Sequence, residues 1–184
     1  INENTKRFEW LSDVTSFTTM PLAVGGGITT IEQASHIISL GADKVILNSA
    51  LRNQPELIGS IAKRHGSQSI ITSIDSININ NQHLSFDSWT GKPTSKSVID
   101  SIKEAQKLGT GEILLTSVNK EGTRTGFDKD LLMEIADIIK IPLIFNGGAC
   151  SEKDFFEILE YANKYKVPID ALAAGASFHF TSLT

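Results

Sequence analysis

Asp75 ends a short run of mostly apolar residues, Ile70-Ile71-Thr72-Ser73-Ile74-Asp75. A carboxylate at a strand end, where such folds open toward ligand, can act as general acid or base; an aspartate there can equally cap its own loop. Thr116, Ser117 and Asn119 close another such run and can hydrogen-bond a substrate. The segment Val24-Gly25-Gly26-Gly27-Ile28-Thr29-Thr30 reads as a strand end, a glycine turn and a capped helix start. Glycines let a ligand approach the backbone, and free N–H groups at a helix start attract phosphate. A tight turn without ligand is the plain alternative. The pattern has an echo in Asn146-Gly147-Gly148 followed by Gly175-Ala176-Ser177, and two such places point to a substrate phosphorylated at both ends. Gly122-Thr123-Arg124-Thr125-Gly126 reads as a mobile loop in which Arg124 either meets a phosphate or is solvated.

Lys44 and Glu112 each open a strand, at the end opposite the strand C-termini, where charge ordinarily serves stability or solubility. His36, His65, His83 and His179 fall on a helix, a helix end, a hairpin and the tail, and none is assigned a catalytic role. The one cysteine, Cys150, cannot form an intrachain disulfide, and no histidine pair at ligand spacing accompanies it, so no metal site is expected.

The elements that must position these residues alternate regularly. Pro21–Val24, Lys44–Asn48, Ser69–Asp75, Glu112–Val118, Pro142–Asn146 and Asp170–Ala174 read as strands, apolar almost throughout, as parallel strands covered on both faces are. Between them lie helices with legible ends. Thr30 and Gln33 form a capping-box pair and Gly41 closes the helix; Pro55 suits the first turn of the next, which ends at Gly66. Further helices run from Val98 to Gly109, from Asp128 through Ile139, and from Ser151 through Ala162, with a weaker pattern around Phe8, Leu11 and Val14.

This alternation predicts α/β class, a single domain over residues 1–184 formed as a parallel (β/α)8 TIM barrel. An open six-strand sheet satisfies the periodicity equally. A complete barrel takes roughly 250 residues, so the expectation is an incomplete one that lacks the first strand–helix unit, the second strand and the last helix. The chain also resembles itself: Gly25-Gly26, a helix, then Asp43 to Asn48-Ser49 is repeated as Gly147-Gly148, a helix, then Asp170 to Gly175-Ala176.

Composition is that of a globular α/β domain, with 40% hydrophobic and 21% charged residues. A net charge of −4 without basic runs excludes an electrostatic footprint for nucleic acid or an anionic membrane. No apolar stretch approaches the roughly 20 residues a membrane span requires, so a cytoplasmic location is expected.

Several stretches taken together resemble the cyclase subunit of imidazole glycerol phosphate synthase. They are Pro21-Leu22-Ala23-Val24-Gly25-Gly26-Gly27-Ile28, Gly41-Ala42-Asp43-Lys44-Val45 with Asn48, Gly66-Ser67-Gln68, and Gly111 through Ser117. Gly122-Thr123 with Gly126 and Asp128, and Phe178-His179-Phe180, complete the set. The resemblance implies a lyase of histidine biosynthesis that takes ammonia from a separate glutaminase subunit. With it, such enzymes convert a ribulose-containing bisphosphate into imidazole glycerol phosphate and an aminoimidazole carboxamide ribotide. It implies no cofactor. Asp75 matches the second of two family aspartates acting as acid and base. Gly27, Asn48 and Ser49 match one phosphate site, and Gly122, Gly148, Gly175 and Ala176 the other, with Thr116 at the substrate. Lys44 and Glu112 match members of a charged ammonia gate, and Asp43 a residue facing the glutaminase.

The chain departs from that pattern at Asn119-Lys120-Glu121-Gly122-Thr123, where the family has aspartates in place of Asn119 and Glu121. Met20-Pro21-Leu22, Ala173-Ala174-Gly175 and the longer Asn163–Pro168 stretch are similar to a paralogous branch that amidates sugars for surface polysaccharides. That branch keeps the glutaminase partner and changes the acceptor. The sister isomerase of histidine biosynthesis shares the fold and the two-phosphate plan but fits Lys44, Glu112 and Phe178-His179-Phe180 less well; a non-catalytic phosphate-binding barrel is a further alternative.

Overall fold

A computed structural model describes residues 8–175 and Phe178. The described residues divide into two compact units, the boundary falling after residue 72, with residues 105–112 returning to the first.

The first unit contains helix α1 (Trp10–Phe17), strand β1 (Ala23–Gly25), α2 (Ile31–Ser39), β2 (Lys44–Leu47), the short α3 (Ala50–Asn53) and α4 (Pro55–His65). A 3-10 turn, Ser67–Ser69, leads into β3 (Ile70–Ile79), whose first residues belong here. β1 pairs in parallel with β2, Val24 opposite Val45, and β2 in parallel with β3, Val45 opposite Ile70. Parallel neighbours joined by helices are the βαβ crossover that the alternating pattern calls for. Val24, Val45, Leu47 and Ile70 are buried together with Ala34 and Ile37 of α2 and Ile58 and Ile61 of α4. Burial of each large aliphatic side chain contributes about 1.5–3 kcal/mol before the entropy of ordering is charged against it.

The helix ends are where the residue types put them. Thr30 Oγ1 accepts from Gln33 N–H at 3.2 Å, and Gln33 Oε1 accepts from Thr29 and Thr30 N–H at 2.8 and 3.2 Å, a completed capping box. Pro55 takes the first turn of α4, where its missing N–H costs nothing.

The second unit takes up the rest of β3 and adds β4 (Gln82–Asp87), β5 (Lys92–Ser97), α5 (Val98–Leu108, its last residues in the first unit), β6 (Glu112–Ser117), α6 (Lys129–Ile135), β7 (Leu143–Asn146), α7 (Glu152–Tyr165) and β8 (Ala171–Ala173). β6, β7 and β8 pair in parallel, Leu115 opposite Phe145 and Phe145 opposite Leu172. Leu115, Phe145, Leu131, Leu132 and Ile158 are buried, and Phe127 stacks on Phe145 with centroids 6.0 Å apart. The class is therefore α/β with parallel strands, consistent with an incomplete (β/α)8 barrel.

Two features differ from the sequence reading. β3 does not stop at Asp75 but continues to Ile79, because the segment after it pairs antiparallel rather than turning into a helix: Ile77 faces Leu84 and Ile79 faces Gln82. The two-residue turn is Asn80-Asn81, with φ of 52° and 61°, the left-handed geometry that asparagine tolerates and that matches hairpin twist. β5 carries no apolar alternation and β4 alternates only at Leu84 and Phe86, so the Asn-Asn pair is the main signal of the hairpin on which the sequence reading places His83. In α7 the apolar residues are spread too widely to bury together: Ile158 and Ala162 are inside, whereas Phe156 is 67% exposed.

Candidate active site

The internal repeat is carried down to individual hydrogen bonds. In the first unit, Leu22 N–H donates to Asp43 Oδ2 at 2.8 Å and Asp43 N–H donates to the Leu22 carbonyl at 2.9 Å. In the second, Leu143 N–H donates to Asp170 Oδ2 at 2.8 Å and Asp170 N–H to the Leu143 carbonyl at 2.9 Å. The strand then ends in a glycine turn, with Gly26 and Gly147 both at φ 111°. A capped helix follows, and its cap repeats as well. Cys150 and Ser151 N–H both donate to Asp154 Oδ2 at 2.8 Å, the roles that Thr29, Thr30 and Gln33 play in the first unit. The hydrogen bond from Ser151 N–H is the chief cause that holds the Asp154 carboxyl below its ordinary value, since an acceptor of backbone donors favours its charged form.

Each cradle opens onto a depression. In the first unit a recess of about 240 Å³ is lined by Ile28, Thr29, Ser49, Ala50, Asn53 and Gln54. Gly27, φ 67°, leads directly into its wall, and Asn48 precedes Ser49, its Oδ1 within 3.4 Å of Arg52 Nη1. In the second, Gly122, Gly148 and Gly175 line one narrow cleft with Glu121, Asn146 and Ala149. The cleft holds about 10 Å³, room for a single water. Gly148 is required by its packing as well as by its φ of 96°: a Cβ there would lie 2.2 Å from the Gly126 carbonyl oxygen. Ala176, Ser177 and His179-Phe180 lie outside the described residues.

Asn146 organises the polar side of this cleft. Its Nδ2 donates to Thr116 Oγ1 at 3.2 Å and to Glu121 Oε2 at 3.3 Å. Asn119 Oδ1 accepts from Asn78 N–H at 2.6 Å, which ties the loop after β6 to the extension of β3. The two side chains that replace aspartates thus have defined partners.

Asp75 sits in β3 one residue before Ser76, whose carbonyl accepts from Val118 N–H at 2.8 Å, two residues beyond Thr116. Asp75 Oδ2 accepts from Ser88 Oγ at 2.5 Å. Ser88 was invisible to pattern reading because nothing in the sequence places it opposite β3. At the other end of the strands, in the first unit, Lys44 and Glu112 form a half-buried ion pair. Asp43, next to Lys44, spends its carboxylate on Leu22.

Sequence reasoning also passed over a buried polar group. His83 is 4% exposed; its Nδ1 lies 2.5 Å from Glu134 Oε2, and its Nε2 is 3.1 Å from Asn78 Nδ2. Asn78 Oδ1 accepts from Asn81 N–H, so its amide presents N–H to the ring, and His83 Nε2 accepts while Nδ1–H donates to Glu134. A larger hollow, about 370 Å³, lies between the loop at Lys120 and Gly126 and the start of α7, with Lys129, Asp130, Asp154 and Glu157 in its wall. It holds none of the residues singled out for phosphate.

Parallel strands with helical crossovers and glycine turns before capped helices define an α/β protein of the barrel type. A family model described as "Histidine biosynthesis protein" matches residues 1–184, and the chain belongs to that family. Among curated relatives, "Imidazole glycerol phosphate synthase subunit HisF" of Sulfurisphaera tokodaii is 42% identical over 93% of this chain and 66% of its own length. The subunits of the same name from Chlorobium phaeobacteroides and Campylobacter jejuni are 38% and 37% identical over 88% and 93% of this chain. The chain spans 62% and 67% of those two relatives. No helix among the described residues is long and apolar enough to cross a membrane.

Proposed function

We propose that this chain forms the larger part of the cyclase subunit of an imidazole glycerol phosphate synthase. The whole protein uses ammonia from a glutaminase partner to convert a ribulose-containing bisphosphate into imidazole glycerol phosphate and the aminoimidazole carboxamide ribotide. The observation that carries the reading is the repeated cradle, strand, glycine turn and capped helix, present twice with matching hydrogen bonds. A substrate with a phosphate at each end calls for two such places.

In this reading Gly27, Asn48 and Ser49 receive one phosphate, and Gly122, Gly148, Gly175 and Ala176 the other. Backbone N–H groups hold a phosphate without placing a lysine or arginine where the chemistry proceeds. Thr116, already hydrogen-bonded to Asn146, orients the substrate. Asp75 transfers protons during addition of ammonia and ring closure. Lys44 and Glu112 form part of the ammonia gate, and Asp43 faces the glutaminase. The relatives' printed name, a "subunit", supports the existence of a partner.

Turnover of the complete gene product on the bisphosphate with ammonium salt tests this. Asp75→Asn keeps the size of the side chain and removes its proton chemistry, so kcat should fall about 10²–10⁴-fold while substrate affinity and Tm hold. Near-normal kcat removes Asp75 from the mechanism. The paralogous reading, amidation of a sugar acceptor, is favoured by one observation: Asn119 and Glu121 stand where the family has aspartates, and Asn119 is engaged by the β3 extension. Ammonium-dependent turnover of a sugar substrate with none of the bisphosphate would establish it.

A further inference from the structure

The β4–β5 arm interrupts the strand-to-helix rhythm between β3 and α5, and its construction is rigid. Ser85 on β4 and Ser101 on α5 share a buried hydrogen bond of 2.7 Å. His83, two residues before Ser85 on the same strand, joins Glu134 on α6 at 2.5 Å, and Lys96 on β5 pairs with Glu104 on α5. The distal turn is closed on itself: Asp87 Oδ1 accepts from Trp89 N–H at 3.0 Å, and the Asp87 carbonyl from Gly91 N–H at 2.8 Å. What the arm delivers is one hydroxyl, Ser88 Oγ, donated to Asp75 Oδ2 at 2.5 Å.

We propose that Ser88 is a positioning residue for the Asp75 carboxylate, with the β4–β5 arm as its support. The inference rests on the reading of Asp75 as the acid/base. A carboxylate on a short side chain has two soft torsions, and a proton transfer needs the acceptor oxygen aimed at one atom of the substrate. The hydroxyl gives one oxygen of the carboxylate a defined partner on the arm. Ser88 itself touches no reacting atom; it acts through Asp75.

The test uses the complete protein with ammonium salt and the bisphosphate, and compares Ser88→Ala, Ser88→Thr, Asp75→Asn and the double variant Asp75→Asn with Ser88→Ala. Ser88→Ala should lower kcat about tenfold, which is about 1.4 kcal/mol of barrier. Its KM for the bisphosphate should stay within about twofold and its Tm unchanged, since the residue is exposed. Ser88→Thr, which keeps the hydroxyl, should restore the rate. In the Asp75→Asn background the alanine should cost nothing further, because the group it serves is gone. Normal kcat in Ser88→Ala beside a crippled Asp75→Asn overturns the role of Ser88 and leaves that of Asp75 standing. The same loss in both backgrounds overturns it too, and normal kcat in Asp75→Asn removes the underlying reading. A crystal structure of Ser88→Ala with the Asp75 torsions unchanged would also refute the proposal.

Discussion

Leu22 and Asp43 close a two-bond ring between the entry to β1 and the entry to β2, with Asp43 Oδ2 accepting at 2.8 Å and Asp43 N–H donating at 2.9 Å. Asp170 and Leu143 make the same ring at β7 and β8. Asp43 thus has a structural duty besides any contact with a partner. Asp43→Ala and Asp170→Ala should each lower unfolding free energy by about 1–2 kcal/mol, read from urea melts of the isolated protein. If Asp43→Ala unfolds like the parent yet loses glutamine-dependent activity, the residue serves the partner alone.

The ion pair of Lys44 and Glu112 is half-buried, so removing one member strands the other in a partly desolvated place. Lys44→Glu puts two carboxylates there. Turnover supported by glutamine and the partner should fall more than turnover supported by ammonium salt. Equal losses with the two nitrogen sources would argue against a gate and for a purely structural pair.

Gly148 and Gly122 separate backbone strain from packing. Both have φ in the left-handed range, 96° and 72°, but a Cβ at Gly148 meets the Gly126 carbonyl oxygen at 2.2 Å, whereas at Gly122 nothing lies within 4 Å. Gly122→Ala should cost about 1 kcal/mol, the strain alone. Gly148→Ala must also push away the loop that donates Gly126 N–H to the Gly148 carbonyl at 2.9 Å. It should cost clearly more and raise the KM for the bisphosphate. Similar Tm shifts for the two variants would count against the packing argument.

Asp154 gives a pH signature. Hydrogen bonds from Ser151 and Cys150 N–H lower its pKa in the folded state, so the unfolded chain binds the proton more readily. Its contribution to stability is therefore present above the ordinary carboxylate value and is lost as pH falls through the lowered one. The stability difference between the parent and Asp154→Asn should be largest near neutral pH and shrink on acidification below that window. A difference that stays constant down to strongly acidic pH would show that the charge has no part in the cap.

The sequence alone was enough for the strand–helix alternation, for the caps at Thr30, Pro55, Asp128 and Ser151, and for the glycine turns. Each of these depends on neighbours a few residues away, so the spacing of residue types carries the information. The glycine-turn repeat was equally legible, though the structure aligns Gly26 rather than Gly25 with Gly147. The β4–β5 arm was legible only as a hairpin at His83. Its second strand carries no apolar alternation, and the pairing is decided by what β3 meets after Asp75 rather than by periodicity. For the same reason Ser88 against Asp75, His83 against Glu134 and Lys44 against Glu112 belong to the tertiary structure. Partners 13, 51 and 68 residues apart are joined only when the strands that carry them are aligned, and residue type gives no register.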